Sequence, residues 1–417
     1  MGLKRELGLF QTVAYGVGII LGAGIYALIG QAAGMAGNAV WMSFVIAAFI
    51  ASFTGLSYAE LCSVFSKDAA EYLYVKKAFG NELLSFLTGW SIVLTGVVGA
   101  AAVALGFGGY FSAMFGTPII VVGVSVLILF SLLNFYGIKM STGINIIFTL
   151  IEAGGILLII ALGLGHIGSV NYLESTGTAG IFSAAALIFF AYIGFESIVK
   201  MGEETKSPRK ILPTALILSI VITTILYILM SLSVVSIMPW EELAKSSAPV
   251  ADVAARAMGG QAYLMLSVIA LFATGNTVLI LLIATSRMIY GMTKEHVLPK
   301  PFGYVHKTRN TPWVSIFFVM FVSMLFTLIG NIKTVANITN FSVFLVFIMV
   351  NLSLIKLRYR KGFKPRFRSP INIGRFPVLA ALGIAVSLLM LLQFSTIVVA
   401  YGLGILLAGA IVYKLID

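Results

Sequence analysis

Long apolar runs separated by short polar stretches follow one another along almost the whole chain. A membrane-crossing helix needs about 20 mainly apolar residues. Twelve stretches approach or exceed that length: 9–34, 40–61, 84–113, 117–136, 143–166, 180–201, 212–238, 261–292, 312–330, 334–355, 376–393 and 395–415. Breaker residues mark several of the boundaries, with Gly116-Thr117-Pro118 before span four, Ser207-Pro208 and Pro213 before span seven, and Thr311-Pro312 before span nine. Only Gln393-Phe394-Ser395 separates the last two. The pattern predicts an all-α membrane protein with twelve transmembrane helices. Two of the runs are interrupted from within, span one by Gly22-Ala23-Gly24 and span six by Ala191-Tyr192-Ile193-Gly194. Lipid leaves no backbone group unsatisfied, so a helix unwinds at membrane depth only where protein, water or a solute takes over the freed N–H and C=O groups. Matching interruptions in two halves of a membrane chain point to a transporter's binding site.

Composition agrees with lipid as the solvent. The chain has 417 residues, 60% of them hydrophobic and 10% charged, against roughly 25% charged in soluble domains, and its mean hydropathy is +1.05. The single cysteine, Cys62, permits neither an intrachain disulfide nor a metal cluster. The first apolar run is too long for a signal-peptide core and has no cleavage site, so it reads as a retained span. The net charge of +12 does not form a basic face on a soluble module, which argues against nucleic acid as a partner. The charge sits instead in short loops, above all from Lys356 to Arg368, next to spans where basic residues set topology and meet anionic headgroups. With twelve spans both termini share a side, and that side holds 24 of the 27 Lys and Arg residues; Lys245, Arg256 and Lys333 lie on the other. Positive loops stay inside, so both termini are expected in the cytoplasm. The external loop from Pro239 to Met258 is long and amphipathic enough to hold short helices.

Three acids stand out. Glu152 lies in the middle of span five, where a charge costs about 2.5–3.5 kcal/mol even on the lenient insertion scale. It reads either as a neutral acid hydrogen-bonded to backbone or as a proton carrier or cation ligand, with the span-eight cluster Thr274-Gly275-Asn276-Thr277 as opposing partners. Glu196 follows Gly194 by two residues and reads equally as a tie for the unwound segment or as a gating acid. Glu60, at the end of span two, reads as structural. The histidines, His166, His296 and His306, fall at or beyond span ends and offer no buried relay. The small residues from Gly96 to Ala104 in span three serve either a substrate side-chain pocket or helix packing.

The chain resembles the amino acid–polyamine–organocation superfamily. The resemblance rests on Gly22-Ala23-Gly24-Ile25 in span one, Gly194-Phe195-Glu196 in span six, and the run that follows with Glu203, Glu204, Pro208 and Pro213. Ser57-Tyr58-Ala59-Glu60-Leu61, Ser286-Arg287 with Tyr290 and Met292, Leu298-Pro299 and Thr311-Pro312 extend it over nearly the whole chain. Where the family often has P-x-G-G-x-Y after span two, this chain has Lys67-Asp68-Ala69-Ala70-Glu71-Tyr72, which bears on the shape of that loop. The resemblance implies a five-plus-five inverted repeat, residues 1–168 and 169–356, with spans one and six broken and two appended helices in 357–417. It also implies a substrate site between spans one, three, six, eight and ten. The chemistry of the breaks fits an α-amino acid. N–H groups at Gly22, Ala23, Gly24 and Ile25 add donors to the positive end of a half-helix and suit a carboxylate, and a side chain at Gly24 is expected to block that approach. Carbonyls freed at Ala191, Tyr192 and Ile193 suit an ammonium. By resemblance Phe190 closes over the substrate as a gate; the alternative for Phe190 and Tyr192 is packing. Some proton-coupled relatives carry a lysine in this part of span five, where this chain has Glu152.

The expected function is secondary transport of amino acids by alternating access, with neutral L-amino acids favoured because spans three, eight and ten offer no acid to a cationic side chain. Protons are the expected coupling ion, through Glu152, Glu196 and Asn276. The alternatives are an exchanger, a cationic amino acid or polyamine carrier, and a non-transporting amino-acid sensor. No phosphate-binding Gly-Lys-Ser/Thr run suggests an ATP-driven pump, no nucleophile–base pair suggests an enzyme, and no cofactor is expected.

Overall fold

A computed structural model describes residues 7–65, 70–136, 142–201, 205–294, 297–309 and 311–416. Lys67 to Ala69, Glu203, Glu204 and His296, singled out above, lie outside the described residues. The chain is almost wholly helical. Span one is two helices, α1 (Leu9–Leu21) and α2 (Ala23–Ala36), and span two is α3 (Val40–Cys62). A short helix not expected from the sequence, α4 (Ala70–Phe79), precedes α5 (Glu82–Phe115), α6 (Ile119–Tyr136) and α7 (Thr142–Gly163). Span six starts as α8 (Thr178–Ile188), tightens to 3₁₀ over Phe189–Tyr192, turns at Ile193-Gly194, and resumes as 3₁₀ over Phe195–Met201. Then come α9 (Pro208–Ile237), α10 (Trp240–Leu243), α11 (Pro249–Met258), α12 (Gly260–Lys294), α13 (Trp313–Thr327), α14 (Ile332–Arg358), α15 (Val378–Leu391) and α16 (Thr396–Ile416). Each predicted span therefore coincides with a helix or a broken pair, and α10 and α11 occupy the loop expected to hold short helices.

Among the described residues nine helical stretches are long and apolar enough to cross a membrane, one of them, Ala23–Cys62, joining α2 to α3. Three further apolar helices, Leu9–Leu21, Trp313–Thr327 and Val378–Leu391, are shorter. The chain is a multi-pass integral membrane protein. Pro213 does not bound span seven as expected. The helix starts at Pro208 and runs through it, because a proline this near a helix start removes only one intrahelical hydrogen bond.

The packing has an internal symmetry. Span one packs on span seven as span six packs on span two; span three packs on span ten as span eight packs on span five. Span three meets span four as span eight meets span nine, and the pairs two–seven, three–eight and four–nine each map onto themselves. Adding five to a span number thus reproduces these contacts, although those of α2 with α5 and α12 have no comparable counterpart from span six. At the centre lie α5 and α12. Gly96 of α5 lets them approach until only the Thr285 side chain separates their backbones, and a Cβ at Gly106 would fall 2.8 Å from that of Ala27. For these positions the small side chains serve close packing. Outside the symmetric set, α15 lies on α3 and α14, and α16 on α5 and α14. Trp90 of α5 anchors α16 by donating to the Ile405 carbonyl at 2.9 Å.

Contacts between the connections sort into two groups. In one, Lys206 N–H donates to the Leu7 carbonyl at 2.9 Å, Arg360 donates to the Lys77 carbonyl at 2.5 Å, and Tyr413 near the end of α16 stands 5.3 Å from Phe86 near the start of α5. In the other, Ala39 N–H donates to the Glu174 carbonyl at 3.0 Å and Ser169 to the Ser236 carbonyl at 3.0 Å. Alternate connections keep to one group, as successive crossings require.

Candidate functional site

The two interruptions meet. Gly22 leaves helical geometry with φ −26° and ψ −159°, ending α1 and letting α2 begin afresh at Ala23. A Cβ built on Gly24 would lie 2.5 Å from the Ala191 Cα, so glycine there is what allows the backbone of span six to touch that of span one. The expected reason for this glycine was approach by a substrate; the atom that approaches is Ala191. In span six, Gly194 has φ +126°, a region L side chains rarely adopt, and a side chain there would run into Ile19 near the end of α1. Both glycines therefore hold one break against the other.

The freed backbone groups are partly taken by side chains from other spans. Thr277 of α12 accepts from the Ala23 N–H at 3.1 Å. The Tyr227 hydroxyl of α9 faces two carbonyls, Ile20 at 2.5 Å in the first break and Ala191 at 3.0 Å in the second. Asn340 of α14 donates to the carbonyls of Ala186 and Leu187 at 2.7 and 3.0 Å, at the end of α8. Glu196 accepts from the Gly194 N–H at 2.8 Å and so closes the turn. Gly24 and Ile25 lie in the first turn of α2, whose N–H groups have no intrahelical acceptor. The carbonyls of Tyr192 and Ile193 accept no hydrogen bond among the described residues. Donors at the start of one half-helix and acceptors at the end of another thus lie side by side. Gly22, Ala23, Gly24, Ile25, Phe190, Ala191 and Tyr192 are all buried, and Ile193 is half-buried.

The aromatic side chains differ from one another. Tyr192 is fully buried, donates to the Phe44 carbonyl at 3.1 Å and stands edge-on to Tyr227 with centroids 5.4 Å apart. Its ring is packing between spans, and only its backbone faces the break. Phe190 keeps 9% exposure, the most of the three aromatic residues Phe189, Phe190 and Tyr192.

Glu152 and Asn276, both expected near a coupling site, come together. Asn276 Nδ2 donates to Glu152 Oε1 at 3.2 Å. Glu152 is 1% and Asn276 8% exposed, and Glu152 Oε2 and Asn276 Oδ1 have no partner among the described residues. The pair is tied to the break on two sides. Tyr26 of α2 donates to the Glu152 carbonyl at 2.5 Å, and its own carbonyl accepts from Tyr110 at 2.7 Å. Thr277, which holds the Ala23 N–H, adjoins Asn276 in sequence. Thr274 turns away and donates to the Ala270 carbonyl of its own helix at 2.7 Å.

Glu60 belongs elsewhere. It forms a buried, two-pronged ion pair with Arg358, Nε to Oε1 at 2.7 Å and Nη2 to Oε2, and Ser369 N–H adds a third bond to Oε2 at 2.8 Å. Arg358 was expected among headgroup-facing basic residues; its side chain is 3% exposed, held inside by this carboxylate. Among the described residues no three His, Cys, Asp or Glu side chains group as a metal site.

Tyr227, Tyr26 and Asn340 did not stand out in the sequence. A single tyrosine or asparagine within an apolar run has no local pattern that separates a packing role from a bridge to another span.

The chain is similar to known proteins over nearly its whole length. Residues 7–407 match the amino acid permease family. The chain is 30% identical, over 99% of its length and 93% of the relative's, to the branched-chain amino acid permease BcaP of Bacillus subtilis (strain 168). It is 29% identical to the methylthioribose transporter of the same organism, over 91% and 87% of the two chains. It is 28% identical to the cationic amino acid transporter 4 of Mus musculus over 87% of this chain and 61% of that protein.

Proposed function

Because the chain belongs to the amino acid permease family, we propose that it is a secondary transporter of neutral L-amino acids, driven by protons and working by alternating access. Residues 1–168 and 169–356 are the two inverted repeats, 357–417 the appended helices, and both termini are cytoplasmic. The observation that carries the reading is the contact of Gly24 with Ala191. It brings amide donors of α2 next to the carbonyls of Tyr192 and Ile193, the two halves of a receptor for a carboxylate and an ammonium on one carbon. Phe190 is the side chain of the break best placed to cover a bound solute.

The printed substrates of the relatives differ, so side-chain class is argued from charge. The acids of the described spans nearest the breaks are Glu152 and Glu196, and each already accepts a hydrogen bond, from Asn276 and from Gly194. Glu196 closes the turn, Glu152 is held by Asn276 through one oxygen, and spans three, eight and ten add no acid for a cationic side chain, which favours neutral substrates. Coupling is argued from the two orphaned acceptors at Glu152 and Asn276. An ionised carboxylate has no donor to offer the Asn276 oxygen, whereas a protonated one has one. A metal ion wants several oxygen ligands, and this pair supplies two.

Uptake by the full-length protein in liposomes tests the proposal. An inward proton gradient is expected to drive accumulation of a neutral L-amino acid without sodium. The zwitterion should outcompete both its decarboxylated amine and its deaminated acid. A polyamine that competes equally well would move the reading to a cationic carrier, and sodium dependence would replace the proton.

A further inference from the structure

The connection between α14 and α15 holds charge and apolar surface that transport does not use. Residues 359–377 form a strap fixed at both ends. Arg358 and the Ser369 N–H hold it to Glu60, Asn372 Nδ2 donates to the Ser369 carbonyl at 2.8 Å, and Asn372–Ile373 pairs with Phe376–Pro377 as a small antiparallel hairpin. The strap exposes Lys361, Lys364, Arg366, Arg368 and Arg375. No Asp or Glu occurs anywhere from Val297 to Ile416, so no acid of this stretch balances them. Lys361, Lys364 and Arg366 make no side-chain hydrogen bond or ion pair among the described residues. Beside these cations stand two isoleucines, Ile371 at 63% and Ile373 at 75% exposure. Ile371 also has φ +57°, a conformation that β-branched residues avoid. The Val378 N–H, donating to the Ile371 carbonyl at 3.2 Å, helps hold it there.

Loop charge that merely sets orientation needs neither a pinned geometry nor exposed isoleucines. A soluble anion would be met by the cations alone. Apolar side chains held outward among Lys and Arg are the pattern of a segment lying in the interface of a bilayer, with side chains at the acyl boundary and cations on lipid phosphates. We infer that the strap is a binding surface for anionic lipid headgroups, with Ile371 and Ile373 seated at the acyl boundary and Lys361, Lys364 and Arg366 on the phosphates. The inference rests on the membrane setting of the chain and not on its substrate.

Cys62 makes the test clean, because the one native thiol is fully buried. Ile373→Cys, at an exposed position of the hairpin, is labelled with a polarity-sensitive fluorophore in the full-length protein. The protein is then placed in vesicles of phosphatidylcholine alone or mixed with phosphatidylglycerol. The expected result is a blue-shifted emission and about twofold weaker quenching by aqueous iodide in the anionic vesicles. Lys361→Gln/Lys364→Gln/Arg366→Gln on the same background should return both readings to those in phosphatidylcholine. Identical readings in the two vesicle types would overturn the inference, as would a triple variant that keeps the difference. A shift produced by inorganic phosphate on protein in lipid-free detergent would assign the strap to a soluble anion instead.

Discussion

One hydroxyl proton and two carbonyls define the role of Tyr227. Ile20 and Ala191 each present a carbonyl that the interruption of its helix has released, and the tyrosine lies within hydrogen-bond distance of both. Tyr227→Phe keeps the ring against Phe44 and Tyr192 and removes only the donor. Leaving buried acceptors unpartnered costs about 1–3 kcal/mol. The variant is therefore expected to unfold at a lower temperature in detergent and to take up amino acids more slowly, whereas unchanged values in both measurements would remove the bridge from the mechanism. Glu152 tests coupling at the same scale. Glu152→Gln keeps a neutral side chain in the pair with Asn276 and cannot titrate. Exchange of internal for external substrate should survive in the variant while accumulation driven by a proton gradient is lost, both measured in one liposome preparation. Proton-driven accumulation at the parent level would return Glu152 to a structural role.

At the scale of elements, Glu60 and Arg358 join α3 to α14 across 298 positions of sequence. Removing one partner of a buried pair leaves the other charge unmatched, at about 3–5 kcal/mol. Arg358→Leu should therefore lower the thermal midpoint substantially, and Glu60→Gln/Arg358→Leu should recover part of the loss. A double variant no better than the single would mean that the contacts of Arg358 with the strap, and not its charge on Glu60, provide the stability. The same pair shows what the sequence could tell. The helices were legible because lipid demands long apolar runs, and even the gap at residues 392–395 between α15 and α16 follows from three residues. The breaks were legible because glycine inside such a run has few other uses, and Glu152 because a charge there is costly. The small helix α4, the hairpin and the burial of Arg358 were not. A basic residue in a basic run looks like its neighbours until a carboxylate 298 positions away selects it. Tyr227 was hidden for the same reason, since its partners belong to two other helices.

For the whole molecule, the symmetric packing and the sorted connections leave orientation in the bilayer as the property to test. Lys245 and Lys364 are both exposed and belong to connections expected on opposite faces. With Cys62 buried, a membrane-impermeant thiol reagent added to intact cells should label Lys245→Cys and spare Lys364→Cys; the reverse pattern would invert the topology. Packing alone would not decide between these outcomes, because the contacts of one half largely repeat those of the other. What distinguishes the halves is the charge at equivalent connections. The link between spans one and two has no Lys or Arg, and its counterpart between spans six and seven carries Lys206 and the nearby Arg209 and Lys210. The link between spans three and four has none, and its counterpart between eight and nine has Lys300, Lys307 and Arg309. Two halves with largely repeated contacts leave the way up to be set by charge. The lysines and arginines are then an address label: edit a few of them, and the same folded object is delivered facing the other compartment with no helix moved, while the gradients still set which way solute flows.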